Sequence, residues 1–466
     1  MTDRYDLVFL GGGPAGYQGA IRAAQLGART AVVENKFLGG VCLNWGCIPT
    51  KTVRASAEVC RTLRRAAEYG LKPVESSPDL QAIMARKKRV VKGLRSAIEG
   101  LFQARRIDLL EGFGRLIGPG KIVVEKEDQR VLVEAEKIVI TTGSRPSGLP
   151  IFPNSPRVFL ADQLLEISYL PKHLLVVGGG AVGVEMAAIF REIGSQVTLV
   201  ETLGRILPSE DQEMSAYLLG ILRRRKIKVH CETQVISAKE VDDHFIVQLS
   251  DGSEMTADTI LQALGRHYNT QQIGLQELGV RLDGDRLPVD EYLQTNLPGL
   301  YGAGDVIGGW LLAHVAFAEG ICAAEQALGK GSRMDYRVVP RCVFSLPEFA
   351  AVGITEEEAR SKDPVKVARF PLKSLGMAQA MGEPEGLVKI VVQARTDQIL
   401  GAQIIGPHAA DLISPIALAM RASLPSRVIM ETIHTHPTLS EAVLEVAQAL
   451  HGQAIHLPPE EVPSYE

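Results

Sequence analysis

Leu7-Val8-Phe9-Leu10-Gly11-Gly12-Gly13-Pro14-Ala15-Gly16 is a short apolar run closed by a glycine cluster. The chain repeats it 167 positions later as Leu174-Leu175-Val176-Val177-Gly178-Gly179-Gly180-Ala181-Val182-Gly183. Each copy continues through a helical stretch, to Gly27 or Gly194, into a second apolar run ending on an acid, Glu34 or Glu201. Each acid stands 18 residues beyond the third glycine of its cluster. The first glycine of a cluster permits a tight strand-to-helix turn, and the second lets backbone approach a pyrophosphate. The third allows close helix packing, and the helix N-terminus offers amide donors to phosphate. The glutamate can accept from ribose hydroxyls. Two copies in full strand–helix–strand–acid context predict an α/β chain that binds two dinucleotides.

Working outward, Cys42 and Cys47 lie in the run Gly39-Gly40-Val41-Cys42-Leu43-Asn44-Trp45-Gly46-Cys47-Ile48-Pro49-Thr50-Lys51, with Cys42 26 residues beyond Gly16. On a regular helix five residues rise about 7.5 Å and turn about 500°, which points the two side chains apart. A disulfide needs Cα atoms roughly 4.4–6.8 Å apart. Cys42 is therefore expected in an irregular or distorted turn made easy by Gly39, Gly40 and Gly46, ahead of a long helix beginning near Thr50. Thiols at helix N-termini favour the thiolate, the form that attacks disulfides. A cysteine pair this close to a nucleotide site reads as a reaction centre. The first dinucleotide is then a flavin, the redox partner of a disulfide, and the second a nicotinamide dinucleotide. Glu201 repels a 2′-phosphate and favours NAD, while Arg205 reads as a surface ion pair.

Bulk properties narrow the rest. A chain of 466 residues exceeds one core, so two to four domains are expected. The net charge of −4 argues against nucleic acid, and no apolar run approaches the ~20 residues of a membrane helix. The acidic start, Met1-Thr2-Asp3-Arg4-Tyr5-Asp6, reads as neither signal nor transit peptide. Cys60, Cys231, Cys322 and Cys342 are scattered and read as structural thiols, so one cycling disulfide in the cytoplasm fits best. Asp79 to Ile107 reads as a long helix with an apolar stripe, its Lys87-Lys88-Arg89 run on the solvated face. Residues 109 to 140 read as an antiparallel meander. Asp305, after the strand around Leu300, reads as a cofactor contact or as the cap of a helix from about Ala313 to Leu328. Near the C-terminus, His434 and His436 precede Pro437, with Glu441 five residues past the second histidine. This resembles an oriented acid–base pair, and the segment offers too few ligands for a metal.

At this point the wording as a whole resembles a known family. The segments GGGPAG (11–16), GGVCLNWGCIPTK (39–51), TTGSRP (141–146), GGGAVGVE (178–185), TNLPGLYGAGDV (295–306), LAHVAFAEG (312–320), PEFAAVGITEEEA (347–359), GAQIIGPHAADLI (401–413) and HTHPTLSEAV (434–443) are similar to those of the flavin-dependent disulfide oxidoreductases, the branch that oxidises dihydrolipoamide most of all. The resemblance covers residues 4 to 459. It implies two Rossmann-like three-layer domains for FAD and NAD plus a C-terminal α+β dimerisation domain. The divisions expected are 1–148 (FAD), 149–268 (NAD), 269–335 (FAD and central) and 336–466 (interface). It further implies that Cys42 exchanges with the substrate and Cys47 lies against the flavin. Lys51 would sit near the flavin and pair with Glu185, and His436, held by Glu441, would act as base in the partner subunit of a homodimer. FAD would be held by Gly11, Gly13, Pro14, Ala15, Gly16, Glu34, Gly40, Thr142, Gly143, Asp305, Ala313 and His314. NAD would be held by Gly178, Gly180, Val182, Gly183, Glu201 and Gly265. The implied partner is a lipoyl-bearing protein of a 2-oxo acid dehydrogenase or glycine-cleavage complex. Three departures stand out: Arg54 one turn after Lys51, a Gly265-Arg266-His267-Tyr268-Asn269 run without the usual proline, and a tail from Glu460 to Glu466 without a cysteine pair. An Arg54 facing the substrate channel would favour a charged disulfide, and hence a reductase of another small disulfide using NAD(P)H.

Overall fold

The computed structural model describes residues 3–72, 77–331 and 333–458, so the tail from Glu460 lies outside the described residues. Strand β1 (Asp3–Leu10) leads into α1 (Pro14–Gln25) and β2 (Thr30–Glu34). A short α2 (Gly40–Asn44) and a long α3 (Cys47–Arg64) follow, then α4 (Leu80–Arg105), capped by Asp79 accepting from Ala82 N at 3.0 Å. Strands β3 (Asp108–Glu111), β4 (Phe113–Gly118), β5 (Lys121–Lys126) and β6 (Gln129–Ile140) complete this unit. The sheet order is β3-β2-β1-β6-β5-β4. The expected meander is thus confined to β4–β6. Strand β3 instead extends the parallel edge beside β2, because the 12-residue β6 serves two ladders: its start pairs antiparallel with β5 and its end parallel with β1.

The second unit contains β7 (Ser144–Pro146), β8 (Val158–Leu160), β9 (His173–Val177), α5 (Ala181–Ile193), β10 (Gln196–Val200), α6 (Gln212–Arg224) and β11 (Ile227–His230). An antiparallel flap of β12 (Val235–Val241), β13 (His244–Leu249) and β14 (Glu254–Ala257) precedes β15 (Thr259–Gln262), giving a parallel sheet ordered β11-β10-β9-β15-β8. Its strands read as unbroken apolar runs because helices or the flap cover both faces. Strand β16 (Arg266–Tyr268) pairs with β7, so a ladder holds the run that lacks proline. The chain then returns to the first sheet as β17 (Leu300–Gly302) beside β6, and α7 (Ala313–Ala327) packs on α1.

The C-terminal unit is an antiparallel sheet ordered β18-β19-β22-β21-β20, formed by β18 (Arg341–Val343), β19 (Glu348–Gly353), β20 (Val365–Pro371), β21 (Leu387–Gln393) and β22 (Ile399–Gly406). Helix α8 (Glu356–Arg360) follows β19 and α9 (Gly376–Ala380) follows β20, while α10 (Ala409–Arg421), α11 (Ser426–Glu431) and α12 (Glu441–Ala449) close the chain. Alternate residues face two cores. Ala350, Val352, Val388, Ile390 and Ile404 pack under the closing helices, and Phe349, Ala351, Leu387 and Ile405 join the core of the second unit. This double burial fixes the C-terminal sheet against the helices that carry the cysteines and the second glycine cluster. Among the described residues no helix is long and apolar enough to cross a membrane.

One expectation for α4 fails. Lys87 is 2% exposed, and its ammonium bonds Leu165 O and Glu166 Oε1, both at 2.5 Å. An apolar neighbourhood tolerates a buried cation only when it is paired and hydrogen-bonded, and the short 3-10 helix at Leu164–Glu166 supplies both conditions. The charge run hid this because only its other two members face water.

Candidate active site

The two glycine clusters are superimposable in chemistry as well as in wording. A Cβ on Gly16 would lie 1.9 Å from Gly11 O, and one on Gly183 would lie 1.9 Å from Gly178 O, so helix and turn touch only because both are glycine. At the middle glycines the reverse holds. A Cβ on Gly13 would meet nothing nearer than 3.8 Å, and one on Gly180 nothing within 4 Å. That open space lies before the N-termini of α1 and α5, whose N-caps, Gly13 and Gly180, provide no side-chain acceptor for the first amides. Pro14, Ala15 and Val182 occupy the first turns. Both cradles therefore fit a pyrophosphate.

The acids echo too. Glu34 accepts from Gly12 N and Lys36 N, each at 2.8 Å, while Glu201 accepts from Gly179 N at 2.5 Å and Leu203 N at 2.8 Å. Each carboxylate is locked at the lip of its cradle by backbone donors, with lone pairs left for ribose. Arg205, expected as a surface ion pair, instead donates to Pro208 O at 3.2 Å and Glu210 O at 3.4 Å. Its guanidinium braces its own loop.

Around the first cradle, Gly40 takes a left-handed φ of 55° and Asn44 bonds Gly40 O and Leu38 O, fixing the cysteine loop under the glycine cluster. Arg95 holds the Asn44 side chain from α4 at 2.7 Å. Thr142 bonds Asn269 O at 2.7 Å, and Gly143 and Gly265 both face open space. Asp305 is not the cap of α7, a place taken by Leu312; Ser144 Oγ donates to Asp305 at 2.5 Å. His314 binds Pro340 O through Nε2 at 2.8 Å, so its ring belongs to the junction with the C-terminal unit. What α7 offers a cofactor is its N-terminal backbone at Ala313 and His314.

The cysteines lie on two helices. Cys42 is in α2 and Cys47 is the first residue of α3, which begins three residues earlier than expected because Gly46 takes the cap position. The break between helices, with Trp45 N and Gly46 N both bonded to Val41 O, turns the thiols toward each other. Both are free and half-buried, each within hydrogen-bonding reach of the other. The hydrogen bond between them divides their acidity: it raises Cys42 above the ordinary thiol value and lowers Cys47, which the Lys51 charge favours further. Helix position points the same way, since only Cys47 stands at the N-terminus of a long helix. Cys60, Cys231, Cys322 and Cys342 are free thiols as expected, and burial raises Cys231, Cys322 and Cys342.

Lys51, one turn beyond Cys47, meets Glu185 of α5 at 3.1 and 3.2 Å. Phe344 was not foreseen: its N–H donates to Glu185 Oε1 at 2.8 Å and its ring centroid lies 4.2 Å from Lys51 Nζ. No sequence signal singles it out, because it reaches the site from a loop between β18 and β19. Arg54 is engaged by Glu58 at 3.0 Å and Glu348 at 2.9 Å, so its charge is neutralised rather than presented to a substrate.

His436 and Glu441 meet as expected, Nδ1 to Oε1 at 2.8 Å, leaving Nε2 of a largely exposed imidazole outward. Burial pushes Glu441 up, but the Thr438 N–H and His436 outweigh it and hold the carboxyl below its usual range. His434 turns away to Thr432 O. Among the described residues no cluster could hold a metal ion.

Comparison with known proteins matches residues 5–320 to the family described as pyridine nucleotide-disulphide oxidoreductase, and residues 339–447 to the dimerisation domain of that family. A dihydrolipoyl dehydrogenase of Bacillus subtilis (strain 168) is 40% identical, over 98% of this chain and 100% of its own length. Among solved structures, LpdA from Mycobacterium tuberculosis is 31% identical with a TM-score of 0.90, covering 96% of this chain and all of that one. The HOCl-induced flavoprotein disulfide reductase RclA from Escherichia coli is 29% identical with a TM-score of 0.87, over 95% and 99% of the two chains.

Proposed function

We propose, on the premise that this chain belongs to the pyridine nucleotide-disulphide oxidoreductase family, that it is the NAD-linked enzyme oxidising protein-bound dihydrolipoamide. The family uses FAD and NAD, and the two cradles fit them. Glu34, Gly13 and the α1 N-terminus would hold FAD, with Thr142, Gly143 and Asp305 beside it. Glu201, Gly180 and the α5 N-terminus would hold NAD. The observation that carries the reading is the Cys42 and Cys47 pair, with Cys47 lowered below the ordinary thiol value and one turn from a Lys51–Glu185 pair. Arg205 is spent on its own loop, and a carboxylate guards the ribose, which supports NAD over NADP.

In the oxidised protein a Cys42–Cys47 disulfide meets dihydrolipoamide. His436 of a second copy, oriented by Glu441, accepts the thiol proton on Nε2. The substrate thiolate attacks Cys42, the S–S bond breaks, and Cys47 leaves as thiolate. The second substrate thiol loses its proton and attacks the substrate sulfur bound to Cys42, which closes lipoamide and releases Cys42. Cys42 takes one proton back, which leaves a Cys42 thiol beside a Cys47 thiolate, and the other goes to solvent. Bound flavin supplies the two-electron relay from this dithiol to NAD⁺. Lys51 places a positive charge beside Cys47, and Glu185 balances that charge. The lipoyl-bearing partner would be a separate chain of a 2-oxo acid dehydrogenase or glycine-cleavage complex, with cytoplasmic residence.

Stopped-flow mixing of the FAD-loaded protein tests this. Dihydrolipoamide should raise a long-wavelength charge-transfer band that NAD⁺ discharges. Rapid reduction by NADPH with no response to dihydrolipoamide would defeat the proposal. His436→Gln should slow the thiol half-reaction on the order of 100-fold or more while NADH still reduces the flavin normally.

A further inference from the structure

Arg54 lies on the face of α3 that carries Cys47 and Lys51, at intervals of four and three residues. Its side chain is 14% exposed, and its guanidinium binds Glu348, itself anchored by accepting from Ala410 N at 3.0 Å. Four residues before Glu348, Phe344 donates its N–H to Glu185. The segment 344–348 is therefore held at both ends, by Arg54 through Glu348 and by Glu185 through Phe344. The Phe344 ring centroid lies 4.2 Å from Lys51 Nζ and 6.0 Å from Arg54 Cζ. The buried Arg54 Nε has no hydrogen-bond partner. Two carboxylates thus hold this arginine by its outer nitrogen, and its stem lies against protein rather than in a channel.

We propose that Arg54 is a positioning residue for the thiol reaction. By clamping Glu348 it keeps segment 344–348 against α3, which fixes Phe344 on Lys51 and completes the donor set of Glu185. The inference rests on the reading of Cys47 as the flavin-facing thiolate. Without the clamp, Glu185 loses its neutral donor and Lys51 its aromatic face, and the ammonium no longer has one position beside Cys47. The charge network, not substrate charge, is what Arg54 serves.

The test compares Arg54→Met and Arg54→Lys with wild type as full-length, FAD-loaded protein reduced by dithiothreitol. Arg54→Met should lower the charge-transfer absorbance at least threefold and kcat with it, while KM for dihydrolipoamide moves less than twofold. Arg54→Lys, which can still reach Glu348, should restore at least half of the band. An unchanged band with a lower melting temperature would make Arg54 merely structural and overturn the proposal. An unchanged band with a raised KM would make it a substrate contact and overturn the proposal equally. If Arg54→Met fails to fold, Glu348→Gln carries the same expectations and the same contradictions. A wild-type protein without the band would overturn the parent reading and this one together. A wild-type band that survives Arg54→Met overturns only this one.

Discussion

Cys42 and Cys47 share one short motif but not one chemistry. The hydrogen bond between them raises Cys42 and lowers Cys47, and the Lys51 charge lowers Cys47 further. Cys47 is lowered below the ordinary thiol value, and the Lys51 charge that helps to lower it stays in place when Cys42 is replaced. FAD-loaded Cys42→Ser should therefore show the long-wavelength band without any reductant, fading only on acidification, and Cys47→Ser should lack it at every pH. Absorbance spectra across pH decide this, and a colourless long-wavelength region in Cys42→Ser at neutral pH contradicts the assignment. The sequence placed these two residues in one reaction centre. It could not rank their acidities, because the ranking depends on the hydrogen bond between the two thiols and on the Lys51 charge beside Cys47.

At the scale of elements, the two glycine clusters divide into positions that build the fold and positions that serve a ligand. Gly183→Ala sets a methyl 1.9 Å from Gly178 O and should unfold or strongly destabilise the unit. Gly180→Val meets open space at a φ of −72°, so it should leave the melting temperature nearly unchanged while weakening NADH binding at least tenfold by fluorescence titration. Helix α7 carries a second legible consequence. Burial pushes Glu319 up to about 7, against the Gly304 N–H and Tyr336 O–H that bond it. Between the ordinary 4.5 and about 7, the folded protein keeps a proton that the unfolded chain has released. Its stability contribution is thus complete at low pH and declines as pH rises through that window. Melting temperatures should fall between pH 5 and pH 7.5 in wild type, and fall less in Glu319→Gln. Parallel profiles would show that another group carries the pH dependence.

At the scale of the whole molecule, what joins the units is partly apolar and partly ionic. Lys389 of β21 is 1% exposed and meets Asp211 at 2.9 Å, Glu213 at 2.9 Å and Glu356 at 2.6 Å, linking the C-terminal sheet to the cap of α6. Burial lowers its pKa, but the three carboxylates outweigh that, so the pKa is raised. Lys389→Met leaves Asp211 buried and uncompensated and should cost about 3–5 kcal/mol by denaturant unfolding. The loss should respond little to salt, since a buried pair is weakly screened. A change below about 1 kcal/mol, in the range of surface pairs, would show that the cluster is solvated in solution.

The sequence by itself determined the doubled nucleotide fold, the open cradles, the His436–Glu441 pair and the cysteine centre, which follow from local rules: strand period, glycine sterics, and acids at fixed offsets. The Lys51–Glu185 pair, 134 residues apart, came only from the family resemblance. The tertiary structure alone decided the rest. It buried Lys87 inside a run that reads as solvent-facing, turned Arg205 and His314 to backbone carbonyls, and brought Phe344 and Glu348 onto the cysteine helix. Each of those outcomes depends on a partner more than 75 residues away or on a loop carbonyl, and neither periodicity nor spacing encodes which one. Charges and hydrogen-bonding groups commit to whatever the packing places within reach, so their fates are settled last.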